Sequence, residues 1–200
     1  MEEFDLTKLT PDIRHLDDMA EVVLDKKWLE TAGNPELYYM YRKVKHENRL
    51  NHNITVIPSK MLGSEFVKTA GHVHMGPQQE IYTVLEGEAI FLMQKGDENK
   101  IEDVYAVKAK KGESAIIPSF YGHVTINPST QNLKTGDWSS DTTKSDYSLF
   151  KKLVGACYYC TLQPGSGQTT WQKNPNYKNV PELRFEEPLK EIPKDLSFLQ

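Results

Sequence analysis

The chain has 200 residues and a mass of 22.9 kDa, and its 28 Asp and Glu against 24 Lys and Arg give a net charge of −4 at pH 7. This acidic balance argues against a nucleic-acid groove or an anionic membrane surface as the binding partner, because both need a basic protein face. There is no apolar run of about 18 residues, and residues 1–5 include three acidic residues and no apolar stretch, so we expect neither a membrane span nor a secretory signal. A cytoplasmic location is the resulting expectation.

At this length one domain is expected, with a barrel core over about residues 36–163. Acidic and apolar residues at helical spacing predict a peripheral helix around 16–25, which starts near Asp17 or Asp18. Short runs rich in β-branched and aromatic residues then follow, separated by Gly, Pro, Asn and Asp, and they predict an all-β barrel or jelly roll. These runs are 36–44, 53–57, 65–68, 80–85, 88–94, 104–107, 114–117, 123–126, 133–138 and 154–163.

The rest of the chain carries weaker signals. Residues 146–153 predict a short helix capped by Ser145 or Asp146. The tail 174–200 has four prolines and little periodicity, so we expect an extended C-terminal arm over the surface or onto a second subunit. Cys157 and Cys160 form a C-x-x-C pair within a strand-like run, where positions an odd number apart face opposite ways, so structural thiols are predicted.

Three histidines and one glutamate form a candidate metal site. His72 and His74 lie two positions apart, so on a strand their side chains share one face. Glu80 follows closely, and His123 lies 43 residues after Glu80 in a second pattern, 112–127, with Gly, Pro, His and Asn at fixed spacing. An H-x-H pair alone is common by chance, and the second pattern is what favours a metal. This donor set suits Fe, Mn, Ni, Co or Zn better than Ca or Mg.

The two patterns resemble the motifs of the cupins, which have H-x-H, Glu and Gly in the first and Pro, His and Asn in the second. Two departures are visible. Five residues separate His74 from Glu80, where cupins in general have three or four, and Phe120 replaces a usual Gly. The matching residues are His72, His74, Glu80, Gly87, Pro118, His123 and Asn127.

Both departures point to one branch of the cupins. The segment 54–94 resembles the archaeal-type (cupin) glucose-6-phosphate isomerases, and the resemblance extends over about Leu37 to Tyr147. The resemblance implies a cupin jelly-roll barrel with a few peripheral helices, one divalent transition metal per subunit and a homodimer. It also implies interconversion of glucose 6-phosphate and fructose 6-phosphate in glycolysis and gluconeogenesis. Ser145 replaces a His of the family pattern and Trp138 replaces a Tyr, and both departures bear on the phosphate contacts.

Residue by residue, the resemblance implies metal binding by His72, His74, Glu80 and His123. It also implies that Thr55, Thr69 and Gly71 lie near the substrate phosphate, that Tyr82 and Tyr147 reach the sugar phosphate, and that Tyr38 is a further tyrosine of the pocket. Glu80 and Tyr82 are the expected catalytic residues. A Gly at position 71 is expected to let the backbone approach an anion. Lys68 is expected at the surface, and His15, His46 and His52 in solvent.

Isomerisation moves a hydrogen between C1 and C2, and a metal bound to the two oxygens would stabilise the charge that develops. Glu80 could act as the base, or a hydride shift could proceed without one. Tyr82 shares the face of Glu80, where it either contacts substrate or packs in the core. Two other functions stay open: another metal-dependent cupin such as a small-molecule dioxygenase, and a non-catalytic sugar-phosphate-binding cupin.

Overall fold

The computed structural model describes residues 4–163, 165 and 167–200. Three short α-helices are α1 Leu16–Met19, α2 Lys26–Leu29 and α3 Ser148–Lys152, and single 3-10 turns lie at Leu6–Lys8, Ala20–Val22 and Ser197–Leu199. The strands are β1 Asp12–His15, β2 Glu36–Glu47, β3 Leu50–Ile57, β4 Met61–Leu62, β5 Glu65–Phe66, β6 His72–His74, β7 Glu80–Glu86, β8 Glu88–Gly96, β9 Ile101–Lys110, β10 Ser114–Ile117, β11 Gly122–Ile126, β12 Leu133–Ser140, β13 Ser145–Asp146, β14 Tyr158–Leu162, β15 Thr169–Lys173 and β16 Arg184–Glu186.

Two six-stranded sheets form the barrel. The first sheet has the order β1-β2-β3-β12-β7-β10, and the second has the order β13-β6-β11-β8-β9-β16. A smaller four-stranded sheet, β15-β14-β5-β4, lies beside them. This arrangement confirms the predicted all-β class and its cupin jelly-roll form.

The barrel core is a continuous cluster of buried apolar side chains from both sheets. Val84 and Ile117 come from the first sheet, whereas Phe91 and Val124 come from the second, and each is at most 1% exposed. Burial of a side chain the size of Phe91 contributes roughly 1.5–3 kcal/mol. Gly87 alone links β7 to β8 and so carries the chain from one sheet to the other. This position requires glycine for two reasons. Its φ is +77°, and an added Cβ would lie 2.6 Å from the carbonyl oxygen of Asn132.

The predicted N-terminal helix is real but shorter than expected. It consists of α1 and the 3-10 turn that follows, and the carboxylate of Asp18 accepts a 2.9 Å hydrogen bond from the backbone N–H of His15, which satisfies one free donor at the helix start. None of the described helices is long and apolar enough to cross a membrane.

Two predicted boundaries near α3 are wrong. Ser145 does not cap this helix, because it pairs with His74 in β13, while Asp146 accepts a 2.9 Å hydrogen bond from the N–H of Ser148. The predicted strand 154–163 begins only at Tyr158, since Val154 and Gly155 have φ values of +60° and +113° that no strand adopts. Cys157 and Cys160 are free and buried as expected, and burial raises the pKa of each thiol to about 12.

The C-terminal arm packs on the chain's own barrel. β16 pairs in parallel with β9 and covers the edge of the second sheet. Leu189 then exchanges two backbone hydrogen bonds with Ser114, of 2.8 and 2.9 Å. Near its end the arm buries Leu199 against Leu50 and Ile81 of the first sheet. The arm therefore follows the first of the two predicted courses.

Candidate metal centre and adjoining cavity

The four predicted metal ligands converge where the two sheets meet. His72 and His74 are the two ends of β6, and His123 lies on the neighbouring strand β11, directly opposite His72 in the antiparallel register. Glu80 is the first residue of β7 in the other sheet. One potential ligand atom from each of the four side chains lies within 4.8 Å of those from the other three.

Two of these buried ligand atoms have no hydrogen-bond partner among the described residues. Oε2 of Glu80 lies 3.2 Å from Nε2 of His74 and 3.4 Å from Nε2 of His123, but Oε2 and the His74 nitrogen make no hydrogen bond. Buried polar atoms left in this state cost about 1–3 kcal/mol each. A cation between them would satisfy both atoms, so the side chains present fit a divalent transition metal.

The imidazole of His74 is already oriented for this role. Its Nδ1 lies 3.1 Å from the backbone carbonyl oxygen of Gln78. Only a protonated Nδ1 can donate to a carbonyl, so this contact selects the tautomer in which Nε2 carries the lone pair. A hydrogen bond of this kind to the second ring nitrogen is typical of metal-binding histidines.

The electrostatics of the cluster favour two neutral imidazoles, those of His72 and His123, beside one ionised carboxylate. Burial lowers the pKa of His72 to about 4 and that of His123 well below its ordinary value. Burial alone would raise the pKa of Glu80, but the neighbouring histidines, His74 first, outweigh it and lower this pKa. Burial would lower the pKa of His74, whereas the Glu80 carboxylate raises it above its ordinary value. Glu80 is therefore ionised, as a metal ligand must be.

A cavity of about 200 Å³ adjoins the cluster. Its wall is the inner face of the first sheet, because alternate residues of neighbouring strands share one face. The side chains on this wall are Tyr38, Met40 and Arg42 of β2, Asn51, Asn53 and Thr55 of β3, and Asp137 and Ser139 of β12.

The sequence was then compared with known families. Residues 13–180 match the profile of the family described as Glucose-6-phosphate isomerase (GPI). The chain belongs to this family. The glucose-6-phosphate isomerase of Thermococcus kodakarensis is 27% identical over 120 residues, which are 58% of this chain and 61% of that protein. The chain thus spans less than two thirds of the length of this relative.

Solved structures with a related shape include a recombinant oxalate oxidase in complex with glycolate, which is 14% identical with a TM-score of 0.45 over 59% of this chain and 58% of that one. An oxalate decarboxylase is 16% identical with a TM-score of 0.43 over 54% of this chain and 27% of that one. Because both scores are low, the fold assignment rests on the strand topology of this chain.

The residues expected from the isomerase family to contact the sugar phosphate all line the cavity: Tyr38, Thr55, Thr69, Gly71, Tyr82 and Tyr147. Two of them also hold the cavity wall together. The hydroxyl of Tyr38 accepts a 3.3 Å hydrogen bond from the N–H of Ala70, and Oγ1 of Thr69 accepts one of 3.0 Å from the N–H of Thr125.

Core packing requires a glycine at position 71. Its φ is +79°, and a Cβ at this position would lie 2.5 Å from Cγ1 of Val124 and 2.6 Å from the ring of Phe150. The missing side chain would therefore point into the core and away from the cavity. Glycine at this position therefore permits core packing behind β6.

The ring and the hydroxyl of Tyr82 lie in different surroundings. The ring packs against Phe91 with a centroid distance of 5.3 Å, while the hydroxyl lies 3.4 Å from Nε2 of His123. Burial, and then the charge of Glu80, raise the pKa of Tyr82 well above its ordinary value. The phenol therefore stays protonated and can donate a hydrogen bond to a bound ligand.

Asp137 is a cavity residue that the sequence motifs did not indicate. It is 4% exposed, and its Oδ2 accepts a 2.7 Å hydrogen bond from Nδ2 of Asn53. Burial, followed by the charge of Glu80, raises the pKa of Asp137 well above its ordinary value. Thr135, Asp137 and Ser139 are alternate residues of β12 and so share one face, and this pattern is the sequence signal that could have indicated Asp137.

Two expectations about basic residues are wrong. His52 is buried rather than solvated, because its ring stacks on Trp138 at 4.6 Å and its Nδ1 lies 2.8 Å from the carbonyl oxygen of Asp137. Trp138 therefore faces away from the cavity, and Ser139 lines it instead. Lys68 is 3% exposed and forms an ion pair with the buried carboxylate of Glu65, so it is not a surface residue.

Proposed function

We propose that the chain is a metal-dependent glucose-6-phosphate isomerase that interconverts glucose 6-phosphate and fructose 6-phosphate. The observation that carries this proposal is the convergence of His72, His74, Glu80 and His123 at a polar cavity, in a chain of the isomerase family. The resemblance extends the proposal to a cytoplasmic homodimer that acts in glycolysis and gluconeogenesis.

One divalent transition metal per subunit, Fe, Mn, Ni, Co or Zn, would be held by these four side chains. When bound there, such an ion supplies Lewis-acid polarisation of the sugar carbonyl. The chain contributes ligands that are ready for it: two histidines kept neutral by burial, an ionised Glu80 and a His74 whose Nε2 is free of a proton.

Glu80 and Tyr82 are the proposed catalytic residues. Glu80 is an ionised carboxylate at the cavity, so it can take a proton from one sugar carbon and return it to the next, a role that contributes roughly 10²–10⁴-fold. The protonated hydroxyl of Tyr82 can donate to a sugar oxygen that gains charge. A direct hydride shift between the carbons is the other route that fits this site. The reaction run in deuterated water distinguishes the two routes, because only the proton route incorporates solvent deuterium into the product.

The wall opposite the metal cluster suits an open-chain sugar. Asn53, Thr55 and Asp137 present amide, hydroxyl and carboxyl groups side by side, and each can exchange a hydrogen bond with a hydroxyl of the ligand. Tyr38 and Tyr147 line the same cavity, and the ring of Tyr147 lies 5.3 Å from that of His72.

The test is turnover of fructose 6-phosphate, read by a coupled glucose-6-phosphate dehydrogenase assay. Protein stripped by a chelator is assayed alone and after anaerobic addition of each of the five metals. Activity that disappears on stripping and returns with a metal supports the proposal. No turnover with any metal, in protein that still binds one, overturns it and leaves oxygen-dependent chemistry or sugar-phosphate binding without turnover.

A further inference from the structure

Two short segments next to the metal cluster contact each other at the surface of the barrel. The loop 75–79 connects two of the ligands, and the turn 118–121 leads into β11 and its ligand His123. In the antiparallel pairing of β6 with β11, Gly122 lies opposite Val73, so the loop and the turn leave the second sheet at the same end. The two departures from the cupin motifs, the long spacer and the aromatic residue in place of a glycine, lie one in each segment.

Ser119 joins the turn to the loop. Its hydroxyl donates a hydrogen bond to the carbonyl oxygen of Pro77, in the middle of the loop. The next residue, Gln78, presents the carbonyl oxygen that orients the ring of His74 at 3.1 Å. All five residues of the loop are exposed or half-buried, and Met75 is 70% exposed, so packing in the core does not fix the loop. The contact from Ser119 therefore holds the peptide next to the one that orients a metal ligand.

Tyr121 holds the other end of the turn. Its hydroxyl donates a 2.6 Å hydrogen bond to Oδ2 of Asp103 on β9, and its ring meets that of Tyr105 edge to face with a centroid distance of 5.8 Å. Asp103 is itself held by Arg184 of the C-terminal arm, whose Nη2 donates to the same oxygen at 2.9 Å. The side chain of Tyr121 is thus anchored two strands away from β11, on the far side of β8.

Phe120 lies between these two contacts and has a left-handed backbone. Its φ is +66°, a conformation that glycine adopts freely and a bulky residue does not, and its ring is 55% exposed and so gains little from burial. A backbone of this kind persists where its surroundings determine it, and it is typical of functional sites. Here the N–H of Tyr121 closes the turn on the carbonyl oxygen of Pro118 at 3.2 Å. The side chains of Ser119 and Tyr121 then hold the turn on both sides.

The ring of His123 lacks a hydrogen bond of the kind that orients His74. Its Nδ1 is buried without a hydrogen-bond partner in the part of the chain that the structure describes, whereas its Nε2 lies 3.4 Å from Oε2 of Glu80. The position of this ring therefore depends on the backbone of β11 and on packing. The turn 118–121 determines where that strand begins, so it bears directly on the position of His123.

We propose that Ser119 and Tyr121 are positioning residues of the metal centre, Ser119 for His74 and Tyr121 for His123. This inference rests on the proposed metal site and isomerase function. Both residues lie outside the lining of the cavity, so they act on the ligands and not on the sugar phosphate. Hydrogen bonds that orient metal ligands from behind tune the geometry of a metal site and its affinity. The turn 118–121 therefore helps to set the coordination geometry of the bound ion.

The experiment uses single variants of the full chain loaded with Co, whose visible absorption reports the coordination geometry. Ser119→Ala removes the hydroxyl that contacts the loop, and Ser119→Thr keeps a hydroxyl at this position. The matched control is Ser59→Ala. The hydroxyl of Ser59 also donates to a distant backbone carbonyl, that of Ser129 at 2.7 Å, but Ser129 lies beyond the other end of β11.

Tyr121→Phe removes the phenol hydroxyl and keeps the ring. Its matched control is Tyr39→Phe, because the hydroxyl of Tyr39 also donates to a carboxylate, Oε2 of Glu36 at 2.7 Å, and Tyr39 lies outside the lining of the cavity. The two controls therefore remove one hydrogen bond each without touching the turn or the loop.

Two quantities are measured for each variant: the dissociation constant of Co, by competition with a chelator, and the visible spectrum of the bound ion. Ser119→Ala and Tyr121→Phe should each weaken Co binding by roughly two- to tenfold, the range that corresponds to the loss of one hydrogen bond, and should change the spectrum. Ser119→Thr should recover both quantities, and the two controls should match the wild type.

Ser119→Ala and Tyr121→Phe chains that bind Co with the affinity and spectrum of the wild type would overturn the inference, even if they melt at a lower temperature, and the isomerase proposal would stand. A wild-type chain that binds Co but turns over no fructose 6-phosphate would overturn the isomerase proposal, and the Co affinities of the variants would still decide the inference. Thermal melting identifies a variant that has lost its fold, and in that case the other position decides.

Discussion

Oδ2 of Asp137 accepts a 2.7 Å hydrogen bond from Nδ2 of Asn53, and this contact joins β12 to β3 on the wall of the cavity. The same Asn53 holds the backbone of Lys43 through its Oδ1. A single amide thus connects a buried carboxyl group of the cavity wall with the backbone of Lys43, which has a φ of +54° in a bulge where the register of β2 with β3 shifts.

The buried carboxyl group of Asp137 should make the metal-free protein less stable at neutral pH. Burial, and then the charge of Glu80, raise its folded-state pKa well above the ordinary value of 3.8, so the folded state binds more protons than the unfolded state above that value. Stability then falls as pH rises towards the folded pKa. We expect Asp137→Asn, measured by thermal melting after chelation, to have a higher Tm than the wild type at pH 8 and a smaller advantage at pH 5.

The control for this prediction is Asp141→Asn. Asp141 follows the end of the same strand β12, but its carboxylate pairs with Arg49 at the surface. Its removal should not raise the Tm. An Asp137→Asn chain that melts below the wild type at both pH values would contradict the expected destabilisation by the carboxyl group.

Metal binding should stabilise the fold, because the ligand atoms of the cluster are arranged only in the folded chain. A ligand at 100 times its Kd adds about 2.7 kcal/mol, which for a chain of this size corresponds to roughly 5–10 °C in Tm. We expect this shift when Mn, Co, Ni or Zn is added to stripped wild-type protein, and its loss in His123→Gln. The matched control is His46→Gln, since His46 is an exposed histidine of β2. An equal shift in His123→Gln would place the metal elsewhere.

The metal cluster could be predicted from the sequence because local rules fix it. Strand alternation puts His72 and His74 on one face, and the second motif supplies His123. The burial of Asp137 and Lys68 and the bulge at Lys43 could not be predicted in this way. Each depends on which strands become neighbours and on their register, and a sequence of alternating residues does not encode either.

A comparison of alanine variants at Gly71 and Gly112 distinguishes the free-energy cost of a steric clash from that of backbone strain. In Gly71→Ala a methyl group would lie 2.5 Å from Val124 and 2.6 Å from Phe150, in addition to the strain of a φ of +79°. We expect a loss of about 2–4 kcal/mol in the free energy of unfolding, measured with urea. Gly112→Ala is the matched control, because its φ is +91° but no atom lies within 4 Å of the added methyl group. It should lose only about 1 kcal/mol, and equal losses at the two sites would exclude the clash.

The C-terminal arm is anchored to the barrel by Arg184, whose Nη2 donates a 2.9 Å hydrogen bond to Asp103 at the start of β9. This bond, with a smaller contribution from the hydroxyl of Tyr121, lowers the pKa of Asp103 to about 2. A lowered folded pKa means that the pair stabilises the arm above the ordinary value of 3.8 and that this contribution is lost as pH falls through about 2. The carboxylate is partly exposed, so screening limits the contribution to less than about 1 kcal/mol. We therefore expect Arg184→Gln to speed proteolysis of the arm at pH 7, with no such change in Lys95→Gln, which removes an exposed ion pair with Glu102 on the β8–β9 hairpin. A carboxyl titration of Asp103 followed by NMR should move upward in Arg184→Gln, and an unchanged titration would show that Arg184 does not hold the arm through this residue.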